Sequence, residues 1–191
     1  MKYLLIIILL LQTSFSFAQN TIAPNAVDKP VYDTTSLDIK STNSFYFCST
    51  LYKIPRDCEN NDQSSCCSFS AQVHKGEKVL SNGQLGCYNG TSLFWTYFET
   101  EEAAKQNFES MPGQLKKQMK TFSEQKIKLL LCNKEVEANK LNYTTLQGYQ
   151  FSQIIFYGTI NNQSVYGQLH IQKELKSSNE LNSLFQQIVK F

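Results

Sequence analysis

GYQFSQIIFYGTINNQSVYGQLHIQKE, residues Gly148 to Glu174, is the stretch whose reading decides the fold. It divides into two long β-prone runs around Asn161-Asn162. Asparagine tolerates the left-handed conformation that a tight hairpin turn requires. A two-residue loop there pairs Ile160 with Gln163, Gly158 with Val165, Phe156 with Gly167, Ile154 with Leu169 and Ser152 with Ile171. That face is mostly apolar. The opposite face pairs Thr159 with Ser164, Tyr157 with Tyr166, Ile155 with Gln168, Gln153 with His170 and Phe151 with Gln172, and is aromatic and polar. A four-residue loop preserves the same two faces, because side chains alternate with period two. The partition is therefore firmer than the register.

After the hairpin, Ser177 and Glu180 match the S-x-x-E pattern in which each side chain satisfies the other's backbone donor at a helix start. Leu181, Leu184, Phe185, Ile188 and Val189 follow at helical spacing. The pattern predicts a closing helix over 178–190, packed on the apolar hairpin face.

Upstream, Thr100 can cap a helix that opens with Glu101 and Glu102, whose charges suit a helix N-terminus. Ala104, Phe108, Met111, Leu115, Met119 and Phe122 form one stripe at spacings of three and four. This predicts a helix over about 100–122, kinked or broken at Pro112-Gly113. Core packing is the simplest reading of the methionines in the stripe.

Strands are expected at Ser44 to Ile54, Cys66 to Lys75, 78–80, 84–88, a central strand at Ser92 to Glu99 carrying Trp95, Lys126 to Cys132, and a short one at Leu141 to Thr145. Asn133 to Lys140 reads as a charged connection. The expected fold class is α+β: two layers, a mostly antiparallel sheet with both helices on one face, stapled by disulfides.

The N-terminus bears on location. Lys2 precedes an unbroken apolar run, Leu4 to Leu11, and Ser16-Phe17-Ala18 offers a small-x-small cleavage site before Gln19. This is the pattern of a secretory signal peptide, too short to span a bilayer. The expected organisation is a signal peptide at 1–18, an extended polar leader at 19–43 and a single domain at 44–191. No stable membrane insertion is expected after cleavage. With Lys2 removed, the net charge is about +1 with neutral histidines, so no electrostatic argument favours nucleic acid as a partner.

Six cysteines, Cys48, Cys58, Cys66, Cys67, Cys87 and Cys132, are an even set in a chain read as exported, which argues for three disulfides. Adjacent strand residues point to opposite faces, so Cys66 and Cys67 should have different partners. Cys58–Cys66 is the expected short loop. Cys67 should turn inward to Cys48, Cys87 or Cys132. The spacing lacks the paired C-x₂-C units of a zinc site, so no metal and no cofactor is expected.

No G-x-S-x-G elbow, P-loop or dinucleotide fingerprint occurs. The residues point to an extracytoplasmic, non-catalytic binding or inhibitor-type domain with an unknown protein or small ligand as partner. Its expected contact surface is the mixed hairpin face: Tyr157, Tyr166, Gln153, Gln168 and His170. The alternative is a small secreted hydrolase or thiol-redox protein using His170, His74 or a cysteine. Three N-x-S/T sequons, at Asn89, Asn142 and Asn162, match the number expected by chance in a chain this rich in Asn, Ser and Thr.

Overall fold

A computed structural model describes residues 44–54, 67–72, 82–87, 90–172 and 174–191. The signal segment, the leader, the strand expected at 78–80, Cys58, Cys66, His74 and Asn89 lie outside these residues.

The described chain is strand-dominated. Ser44–Phe47 (β1) and Thr50–Lys53 (β2) form a separate two-stranded hairpin. Cys67–Gln72 (β3), Asn82–Cys87 (β4) and Ser92–Phe98 (β5) precede helix Glu101–Gln118 (α1). Thr121–Leu131 (β6), Lys134–Thr144 (β7), Gln150–Ile160 (β8) and Gln163–Ile171 (β9) follow. A 3-10 turn at Ser178–Glu180, helix Ser183–Ile188 (α2) and the short strand Val189–Lys190 (β10) end the chain. The main sheet has eight antiparallel strands in the order β10-β6-β7-β8-β9-β5-β4-β3.

The β8–β9 hairpin has the register read from the sequence, from Ile160 opposite Gln163 to Ser152 opposite Ile171. Asn161 and Asn162 take φ of 50° and 61°, the left-handed pair that a two-residue hairpin turn needs. The same device recurs twice where the sequence suggested none. Cys48 and Ser49 have φ of 46° and 62°, so the expected single strand over 44–54 folds back on itself as β1 and β2. Cys132 and Asn133 have φ of 51° and 62° and turn β6 directly into β7. Of the expected connection Asn133 to Lys140, only Asn133 lies in the turn, and residues 134–140 are strand. Their charges misled because Lys134, Glu135 and Glu137 are exposed while Val136 and Ala138 alternate with them into the core.

The two helices do not share a face, which corrects the two-layer expectation. Ala104 and Phe108 of α1 pack with Leu141, Tyr143, Ile155 and Tyr166 on one side of the sheet. Leu184, Phe185 and Ile188 of α2 pack with Ile154, Phe156, Val165 and Leu169 on the other. That larger core also receives Phe45 and Phe47, whose rings meet Trp95.

Local chemistry explains the helix limits. Thr100 caps α1, its hydroxyl accepting from the Ala103 amide at 3.2 Å. The helix runs in one segment through Pro112 and stops at Gln118 rather than 122. At that point the Lys120 amide donates to the Thr144 carbonyl at 2.8 Å and the β6–β7 ladder begins, making Phe122 a strand residue. Met119 and Phe122 still join the α1 cluster, so the stripe reports shared packing although it outruns the helix. The closing helix expected over 178–190 is likewise shorter. Its capping box closes only a single 3-10 turn, and Asn182 caps α2 by accepting from the Phe185 amide at 3.0 Å.

Asn182 also reveals the curl of the sheet. Its Nδ2 donates to Cys67 Sγ at 3.2 Å and to Cys87 Sγ at 3.3 Å, at the β3–β4 end of the sheet. Val189, just past the six-residue α2, pairs with Leu131 of β6 near the other end. A helix spans about 10 Å over that distance. Five strand spacings separate β4 from β6 in the sheet order, about 24 Å if the sheet were flat. The sheet therefore bends around the larger core, and α2 bridges its two ends.

Candidate functional site

The hairpin face opposite the larger core carries Gln153, Ile155 and Tyr157 on β8, and Tyr166, Gln168 and His170 on β9. β5 extends this face outward. Thr96 stands opposite Tyr166, Phe94 opposite Gln168 and Ser92 opposite His170. β7 extends it the other way, with Asn139 opposite Ile155 and Leu141 opposite Gln153. All five residues expected to form a contact surface thus occupy one side of the sheet.

Helix α1 divides that surface. Phe108 lies against Tyr157, ring centroids 4.9 Å apart, and Tyr166 is buried in the same cluster. Burial raises the Tyr166 phenol well above its ordinary range, so it stays a neutral hydroxyl. The two tyrosines are neighbours, as read from the sequence, but helix α1 packs against both, burying Tyr166 and half-burying Tyr157. Beyond α1, Ser92, Phe94, Gln168 and His170 are half-buried and Gln84 is exposed. The open part of the face is thus on β9, β5 and β4.

A directed chain of hydrogen bonds runs through this part. Gln168 Nε2 donates to Tyr166 Oη at 2.9 Å, which leaves Gln168 Oε1 as an acceptor. That oxygen accepts from Gln153 Nε2 at 2.9 Å and lies 3.1 Å from His170 Nε2. The tautomer that satisfies this arrangement carries its proton on Nε2 and leaves Nδ1 as a lone-pair acceptor. Desolvation pushes His170 down to about 4, so the ring is neutral at neutral pH. Phe94 meets it edge-on, centroids 5.7 Å apart.

Two buried amides have unmatched atoms. Gln153 is 1% exposed, and its Oε1 has no hydrogen-bond partner. Gln163, equally buried on the other face near the Asn161-Asn162 turn, has neither amide atom paired. Buried polar atoms without partners are uncommon and mark places where a water or ligand group can bind. The Gln153 oxygen adjoins the half-open patch.

No family model, curated protein or solved structure matches this chain. The chemistry of the patch therefore stands on its own geometry. It offers hydrogen-bond acceptors and an aromatic edge.

The cysteines sort differently from the expectation in one respect and agree in another. Cys67 turns inward and bonds Cys87, one of the three partners considered for it. Cys48 and Cys132 carry free thiols. Among the described residues no group of His, Cys, Asp and Glu could hold a metal ion. No helix of the described residues is long and apolar enough to cross a membrane.

Sequence reasoning missed Asn182, Tyr52 and Tyr97. Asn182 had a visible signal, a capping residue directly before the helical run SLFQQI. Tyr52 and Tyr97 had none, because their partners, Cys132 Sγ at 3.2 Å and the Cys48 amide at 2.9 Å, are distant in sequence.

Proposed function

We propose that this protein is an extracytoplasmic, non-catalytic binding or inhibitor-type domain whose contact surface is the part of the mixed sheet face left open by α1. The observation that carries the reading is the Gln153–Gln168–His170 chain beside Phe94, with the buried Gln153 oxygen unpaired. A neutral histidine and amide oxygens suit a ligand rich in hydrogen-bond donors, and an aromatic edge adds apolar contact. The ligand class is a small molecule or peptide bearing amide, amine or hydroxyl donors. The Cys67–Cys87 bridge supports an oxidising location, as does the signal-peptide pattern at 1–18. Intact mass of the exported chain tests the location, with Gln19 as the expected first residue.

Backbone amide NMR of residues 19–191 tests the site, using a library of ureas, amines, sugars and short peptides as probes. Ligands should shift Phe94, Gln168 and His170 together, and Gln168→Ala should abolish those shifts in a chain that still folds by circular dichroism, with a melting temperature lowered by several degrees because the buried Tyr166 hydroxyl and Gln153 amide lose their partner. Shifts that cluster elsewhere, or that survive Gln168→Ala, overturn the assignment.

A further inference from the structure

The tight turns β1–β2, β6–β7 and β8–β9 meet at one end of the sheet. Asn161 Nδ2 donates to the Cys48 carbonyl at 2.7 Å, joining the first turn to the third. Lys134 Nζ donates to Asn161 Oδ1 at 3.1 Å, joining the third to the second. The Cys132 amide donates to the Ile188 carbonyl at 2.8 Å, and Lys190 Nζ reaches Asn133 Oδ1 at 3.1 Å, so the end of the chain clasps the second turn. Within this junction the thiols of Cys48 and Cys132 are neighbours, each close enough to perturb the other's ionisation. Their neighbours hold them there: the Cys48 amide donates to Tyr97 Oη at 2.9 Å, and Tyr52 Oη donates to Cys132 Sγ at 3.2 Å.

We propose that Cys48 and Cys132 form a second intrachain disulfide, made by exchange with a protein disulfide or glutathione disulfide, which fastens the β1–β2 hairpin to the main sheet. The hairpin needs such a fastening. Among the described residues it shares no ladder with the eight-stranded sheet, and two strands alone are marginal in water. Its described attachments include Phe45, Phe47 and Tyr52 in the core and the Cys48 contacts with Tyr97 and Asn161.

The two sulfurs have distinct parts in the exchange. Cys132 is half-buried and Cys48 fully buried, so Cys132 is the sulfur an incoming disulfide reaches. The neighbouring Cys48 thiol and the hydrogen bond from Tyr52, with the nearby Lys134 charge, lower the Cys132 thiol below its usual value, while its contact with Cys132 and burial raise Cys48. The Cys132 thiolate attacks one sulfur of the oxidant, forming a mixed disulfide and releasing the first thiolate. Cys48 then attacks Cys132 Sγ, its proton passing to the departing thiolate as the second is released. Two thiols become one disulfide, and two electrons pass to the oxidant, which leaves as two thiols.

Non-reducing peptide mapping of the wild-type chain, equilibrated in a glutathione redox buffer and then acid-quenched, tests the bond directly. A Cys48 peptide joined to a Cys132 peptide is expected, beside Cys67–Cys87. Cys48→Ser should accumulate a glutathione adduct on Cys132, and Cys132→Ser should leave Cys48 unmodified. In the wild type, loss of the bond should lower the melting temperature by roughly 10 °C, given the long loop it closes. Both thiols remaining alkylatable at equilibrium, or either one bonded to a different cysteine, overturns the proposal without reference to any variant. An adduct that forms on Cys48 instead of Cys132 overturns the order of attack.

Discussion

Phe156 lies over the bare backbone of Gly167, its directly paired neighbour across the β8–β9 ladder: a Cβ at Gly167 would stand 2.2 Å from the ring Cζ. The ring is fully buried in the larger core and has little room to retreat. Gly167→Ala should therefore destabilise the protein by about 1–3 kcal/mol through overpacking, rather than stabilise it as a β-propensity argument would suggest. Urea denaturation measures this, and an unchanged midpoint would show that the Phe156 ring moves freely.

Leu184 of α2 is 1% exposed in the same core. Leu184→Asp would place a carboxylate there with no designed partner, which costs several kcal/mol, on the order of 3–5. Leu184→Ala should cost about 2–4 kcal/mol by leaving a cavity. Circular dichroism melts distinguish the two. An Asp variant as stable as wild type would mean that α2 is not part of the folded core.

His170 should make stability depend on pH. Its folded value is near 4, below the ordinary 6.5 that the unfolded chain has. Between those values the unfolded state binds the proton and the folded state does not, so stability rises with pH across this window. The histidine contribution is fully lost only below pH 4, and the full shift corresponds to at most about 3 kcal/mol. Stability measured from pH 7 to 4 for wild type and for His170→Gln should diverge downward for wild type. Parallel curves would show that the imidazole is solvated in the folded protein.

The Cys67–Cys87 bridge has a sequence separation of 20 and joins directly paired residues of β3 and β4. A loop of that size is worth about 3 kcal/mol in the chain-entropy model. The double variant Cys67→Ser with Cys87→Ser should lose stability of that order. It should also release Asn182 from the two sulfurs and so weaken the contact between α2 and the β3–β4 end of the sheet. Amide hydrogen exchange in 183–190 should speed up. Unchanged exchange there would show that the sulfur contacts do not hold α2.

Asn161 combines a conformational and a bonding role, with φ of 50° and a side chain joining Cys48 to Lys134. Asn161→Gly keeps the turn and loses the bonds, at about 1 kcal/mol. Asn161→Ala loses both and should cost roughly 1 kcal/mol more. Equal losses in thermal denaturation would show that the backbone conformation carries no cost.

The sequence by itself determined what local chemistry determines. Period-two alternation around Asn161-Asn162 is enough to give the two faces of the β8–β9 hairpin, because a slip by one residue would exchange them, and the left-handed tolerance of the two asparagines points to the two-residue turn that sets the register. Thr100 and the two glutamates after it are enough to start α1. The turns at Cys48-Ser49 and Cys132-Asn133 were not legible, since neither pair is a common left-handed turn sequence and tertiary contacts hold them there. Nor was the fate of the tyrosine face. Alternation shows that Tyr157, Tyr166, Gln153, Gln168 and His170 share a side, but a helix stripe carries no label for the strand it will cover. Only the tertiary structure laid Phe108 on Tyr157 and left Gln168 and His170 half-open. The same holds for Cys48 and Cys132, far apart in the chain, which meet only because the β1–β2 hairpin packs into the core and its turn meets the turns of β6–β7 and β8–β9. Local propensity acts over a few residues, whereas burial selects among whole arrangements of elements.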